Sequence, residues 1–186
     1  MAGTATLSRT LHDVGLAAWF GGSLMGAVGV NGAAKDVDDP RQRAKVANAG
    51  WGRWTPLNAA AIGAHVLGAA EMTWANKKRI KDQKGVATAS LVKAGITAAA
   101  MGATAYSRVL GQRVMSAGNV PVAGGTEPLP NTPEDVAKAQ QQLKALQWVI
   151  PALTGGMLAM NALMGEQQRP KEVSKGVLRR YAPGKK

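Results

Sequence analysis

The chain of 186 residues contains no cysteine, one Phe, two Tyr and two His. Without thiols there are neither disulfides nor thiolate metal centres, although this absence selects no compartment. Acids are scarce as well: 11 Asp and Glu stand against 23 Lys and Arg, a formal charge of +12. There is no GxSxG, Walker loop, HExxH or EF-hand spacing, so an enzyme is not expected and no cofactor is implied. Gly-rich pieces such as "GNVPVAGG" do not sit between a strand and a helix, where a phosphate cradle would need them.

Small residues and long uncharged runs are abundant instead. "VGLAAWFGGSLMGAVGVNGAA", residues 14–34, carries no charge and six Gly. Similar stretches cover 54–75, 86–107 and 145–165, interrupted only by Glu71 and Lys93. A bilayer core of about 30 Å needs about 20 helical residues, and all four reach that length. A soluble bundle would show a polar face on every helix. The first and fourth stretches offer only scattered Ser, Asn, Gln and Thr. The expected architecture is therefore all-α: a four-span transmembrane helical bundle over 1–165, followed by a basic tail, 166–186. The mean hydropathy of −0.10 is low for a membrane protein. The charge-rich loops and tail account for it.

Glycine weakens a helix in water but lets membrane helices approach closely. Gly15, Ala18, Gly22, Gly26 and Gly29 form one expected packing stripe, Ala60, Ala64 and Gly68 a second, and Gly156 belongs to a third on the last span. Trp51, Trp54, Trp74, Tyr106 and Trp148 lie near span ends, where an apolar ring with a polar N–H or O–H suits the headgroup level. Only Trp19 breaks that pattern.

Fourteen of the 23 basic residues fall in the N-terminal segment, the "NKKRIKDQK" connection with Lys93, and the tail. The positive-inside rule then places both termini in the cytoplasm. Lys77, Lys78, Arg79, Arg179 and Arg180 are the expected contacts to anionic headgroups. The connection 108–144 is external, with residues 124–133 its most mobile part and a helix start at Thr132-Pro133-Glu134-Asp135.

Ionisable residues inside spans face the bundle or an aqueous cavity. His65, Glu71 and Lys93 form a sparse intramembrane polar line, in which Glu71 and Lys93 are close enough in depth to meet. Counted from the span ends, His12 lies at the cytoplasmic edge and His65 near mid-depth, which argues against their clasping one haem.

With "LHDVGLAAWFGGSLMGAVGVNGAA" as its first span, the chain resembles small four-helix bacterial membrane proteins of the actinobacterial type. The resemblance implies a multi-pass plasma-membrane protein and no activity. The expected role is a non-catalytic accessory or scaffold component, contacting lipids and a membrane-protein partner or a second copy of itself. The alternatives are a small transporter or ion conductor, with a cavity lined by His65, Glu71, Lys93 or Asn58, and a soluble basic protein that binds nucleic acid. The last is disfavoured because the basic residues bracket uncharged runs instead of decorating helices.

Overall fold

The computed structural model describes residues 2–77 and 84–167. Within them the chain is all-helical apart from one short hairpin. Helix α1 (Ala2–Met25) passes through a π-helical turn (Gly26–Val30) into α2 (Asn31–Lys35). Helix α3 (Pro40–Ala75) begins at Asp39, whose side chain accepts the Arg41 N–H at 2.9 Å, with Pro40 in the first helical position. Helix α4 (Lys84–Ser116) is followed by Gly118, at a φ of 79° that favours glycine. The antiparallel pair β1 (Val122–Gly124) and β2 (Glu127–Pro128) leads into α5 (Glu134–Gln167). Glu134 and Asp135 occupy its first turn, where acids favour the positive end of the helix dipole.

The helices overrun the uncharged stretches. Residues 40–53, 108–116 and 134–144 carry charges and are helical nonetheless. Helix α1 packs against α3 and α5, and α4 against α5, whereas α3 and α4 touch least. One apolar cluster joins Ala44, Leu110, Val114, Val122, Val136 and Ala139 at the hairpin end. The other, Leu16, Trp19, Ala100, Ile150 and Met157, lies deeper in the bundle.

The expectation that residues 124–133 are mobile is corrected by the structure. Val122 is fully buried, and Gln140 donates to the Gly124 carbonyl at 2.8 Å. The Thr132 hydroxyl accepts the Leu129 N–H and donates to the Pro121 carbonyl, both at 2.8 Å, so it knits the loop together. Glu127 bridges Lys35 at 2.8 Å and Lys144 at 3.4 Å. Burial is possible because the loop is small-featured: a Cβ on Gly125 would stand 2.7 Å from the Ala47 side chain. Turn residues in sequence signal a change of direction, and here the turn packs as a cap over the helix ends.

Two helical segments, Thr6–Lys35 and Glu134–Leu163, are long and apolar enough to cross a membrane. Large aliphatic side chains stand on the outside of the bundle as well as in its core, and polar side chains are buried beside them. Leu7, Val14, Val28, Leu57, Leu67 and Leu91 are exposed, while His12, His65, Asn31, Asn58, Gln140 and Thr154 are buried.

Candidate functional site: a histidine crossing and a cavity

Glycines make the closest contact between α1 and α3. A Cβ on Gly15 would meet the Ala61 carbonyl oxygen at 2.4 Å, and one on Gly68 would meet that of Ser8 at 2.4 Å. Gly22 lies under the Trp54 indole and Gly26 under that of Trp51. Other expected packing residues fall elsewhere. Gly29 is exposed, because the extra residue in the π-helical turn rotates the stripe off the interface after Gly26. Ala60 and Gly156 are exposed and Ala18 and Ala64 half-buried, while Ala61 is buried and Gly155 faces the Phe20 ring. On α3 the buried positions Asn58, Ala61, His65 and Gly68 alternate by three and four, a spacing that the strict fourfold stripe misses.

Two copies of one pattern meet at this contact: His12-Asp13-Val14-Gly15 on α1 and His65-Val66-Leu67-Gly68 on α3. The imidazoles stack with centroids 4.2 Å apart and planes 20° from parallel. His12 Nδ1 lies 3.2 Å from the His65 carbonyl, and His65 Nδ1 lies 3.1 Å from that of His12. A carbonyl only accepts, so each Nδ1 carries the proton and donates. The Nε2 atoms face outward, that of His12 toward the Asn161 amide at 3.4 Å and that of His65 toward Thr97 at 3.5 Å.

The expected difference in depth is therefore wrong. Helix α3 continues to Ala75 and α1 starts at Ala2, so the histidines sit equally far from the same end of the bundle. With their rings stacked and each Nδ1 committed to backbone, they are not arranged as ligands on opposite faces of a haem.

Glu71 and Lys93 are not joined by a salt bridge among the described residues. The Ser8 hydroxyl donates to Glu71, while Lys93 lies within electrostatic reach of Asp13 and both imidazoles. His65, Glu71 and Lys93 thus belong to separate contacts.

The aromatics divide in two. Trp74 is 73% exposed, with Lys77 stacked 5.0 Å over its ring, and Tyr106 and Trp148 are exposed too, as boundary residues would be. Trp51 and Trp54 are half-buried and fill the gap between α1 and α3. The facing glycines leave room for an indole. Lys78, Arg79, Arg179 and Arg180 lie outside the described residues.

A cavity of about 140 Å³ lies under the hairpin, between α3 and α4 and against α1 and α5. Trp51 donates to Asn31 at 2.9 Å, and Asn31 donates to Gln147 at 2.7 Å. On its floor Thr104 accepts the Trp19 indole N–H at 3.2 Å and donates to the Ala100 carbonyl. Trp54 and Asn58 also line it, and Trp54 Nε1 and Asn58 Oδ1, both shielded from solvent, have no partner among the described residues. Arg108 contributes the cation.

Of the residues expected to line a cavity, Asn58 does so, and His65, Glu71 and Lys93 do not line this one. Sequence reasoning missed the paired His-x-x-Gly pattern, although its repetition is visible in the letters. Arg108 carried no such signal, since it reads as the first charge of a loop. No family model matches this chain, and comparison with curated proteins and with solved structures finds no similar protein.

Proposed function

We propose that this protein is an integral membrane protein whose four long helices all cross the bilayer, with both termini in the cytoplasm, and that it serves as a non-catalytic component of a membrane assembly. The observation that carries this reading is the outer surface of the bundle, where Leu7, Val14, Val28, Leu57, Leu67, Leu91 and Leu163 stand exposed while His, Asn, Gln and Thr side chains are buried. Water offers no gain from that arrangement, whereas lipid favours it. Helices α3 and α4 owe their lower apolarity to their many Ala, Gly and Thr residues and to charged ends beyond the bilayer core.

A conducting role has less support. Leu16, Trp19, Ala100 and Met157 form an apolar cluster, and Trp19 reaches from the edge of the His65 ring to Thr104 on the cavity floor. Aliphatic packing at this level interrupts a polar line from the histidine crossing to the cavity. A soluble nucleic-acid-binding role would leave the exposed Leu57, Leu67, Leu91 and Leu163 in water.

Fractionation of the tagged protein tests the membrane reading. Retention in the pellet after an alkaline carbonate wash, with release by detergent, is the expected result. Release by carbonate alone overturns it. Co-purification of a stable partner, or a defined homo-oligomer, in mild detergent is expected of an assembly component; a monodisperse monomer without partner overturns that role.

A further inference from the structure

The histidine crossing holds a hydrogen-bond acceptor that the described residues do not satisfy. Asn161 on α5 is half-buried, and its Oδ1, shielded from solvent, has no partner among them. Its Nδ2 is shared between two acceptors, His12 Nε2 and Asp13 Oδ1, each at 3.4 Å, which is long for either bond. A shielded acceptor left open is costly enough to be uncommon. Turning the amide over exchanges Oδ1 and Nδ2, which have nearly the same size. Beside a neutral imidazole that turn would set Oδ1 against the bare Nε2 lone pair and the Asp13 carboxylate, so the orientation seen belongs to the neutral stack. A proton on Nε2 reverses the preference, because Nε2–H then donates to Oδ1.

The surroundings suit one such proton and not two. The rings are 4% and 1% exposed, with centroids 4.2 Å apart. On α1, Asp13 is exposed beside His12 and supplies negative charge. On α3 stands the second imidazole, and Glu71 is engaged by the Ser8 hydroxyl. Lys93 of α4 lies within electrostatic reach of both rings, and α5 contributes Asn161 and Met157, neither of them charged. A first proton on His12 gains Asp13 and Asn161 Oδ1. A second, on His65 Nε2, would meet Lys93 and a stacked imidazolium, like charges in a partly dry setting. Its neighbour Thr97 already donates its hydroxyl to Met157.

We propose that the two histidines form a switch for a single proton: His12 Nε2 takes it up from the Asp13 side, the Asn161 amide turns over, and a charge-assisted hydrogen bond ties α1 to α5. The proton comes from water, and both Nδ1–H donations to the opposite carbonyls persist. The switch rests on the packing of α1, α3 and α5, and it stands or falls separately from the membrane reading.

The test uses the full chain in mild detergent with ¹⁵N-labelled His, Asn and Trp side chains, followed from about pH 8 to about pH 5, the range in which histidine serves as a switch. There are two His in the chain, so His12→Gln and His65→Gln each assign the remaining ring. In the parent protein the His12 Nε2 signal is expected to move to that of an imidazolium, while His65 keeps its neutral Nδ1–H form throughout. The Asn161 amide signals, identified by their loss in Asn161→Leu, should shift with the same midpoint. In that variant, proton uptake by His12 should fall by about one pH unit or more, since the acceptor for Nε2–H is gone. Unchanged indole resonances from the five Trp report an intact bundle in Asn161→Leu. Protons on both histidines, on neither, or on His65 in place of His12 overturn the switch. So does an unmoved His12 midpoint in folded Asn161→Leu, or an Asn161 amide that ignores pH in the parent protein.

Discussion

At the scale of single residues, what a glycine faces decides what its replacement does. Gly15 and Gly68 face backbone, which has no alternative rotamer, whereas Gly21 on the same helix as Gly15 has nothing within 4 Å of its missing Cβ. Gly68→Ala is expected to destabilise the folded protein by about 1–3 kcal/mol through overpacking. Gly21→Ala should be neutral or stabilise by up to about 1 kcal/mol, because alanine is the better helix former. Thermal unfolding in one mild detergent compares the two; equal melting temperatures for both variants would sink the assignment of α1–α3 contact to these positions. Sequence revealed that small residues would make the contacts. It misassigned Gly29, Ala60 and Gly156 because a fixed spacing along the chain ignores the π-helical turn and the three-four alternation of a buried face.

At the scale of elements, the hairpin cap carries a pH dependence. Glu127 lies outside the helical spans. Its carboxyl is held below the ordinary glutamate value, chiefly by the hydrogen bond from Lys35, with the charges of Lys35 and Lys144 adding and partial burial opposing. An unfolded glutamate titrates near about 4.3. A depressed folded value means that the bridge contributes fully above that pH and is lost as pH falls through the lower, folded value. Amide protection at Val122 and Gly124 is therefore expected to drop as pH falls below about 4.3. Glu127→Gln should lower protection at neutral pH and remove the acid-dependent step. Protection that ignores pH in the parent protein would contradict the bridge. The helix start at Glu134 was legible from Thr132-Pro133-Glu134, since capping chemistry is local. The cap was not, because "GNVPVAGGTEPLPN" reads as loose punctuation until Gln140, Lys35 and Lys144 are brought around it.

At the scale of the whole molecule, the order of the long helices was legible because each contains an uncharged run. Their ends were not, since helical charged segments such as 40–53 look like connections. The cavity was beyond reach of sequence because it depends on how loosely α3 and α4 meet, although Asn58 was already marked as a residue suited to one. The proposed four-span topology makes a prediction suited to a chain without cysteine. Asn119→Cys, in the exposed turn before the hairpin, should react with an impermeant maleimide on intact cells. Asn76→Cys, at the far end of α3, should react only after permeabilisation. Reaction of both from outside, or of neither, would require a different number of spans.

The three interface glycines at positions 15, 22 and 26 also differ in what descent can do with them. Gly22 and Gly26 abut the indole side chains of Trp54 and Trp51, so a larger residue on α1 is compensable by a smaller one on α3, and such pairs are free to drift together. Gly15 abuts the backbone of Ala61 and His65, which no codon change removes. Lineages descended from this sequence should exchange the first kind of contact by paired substitution and inherit Gly15, like Gly68 opposite it, unaltered.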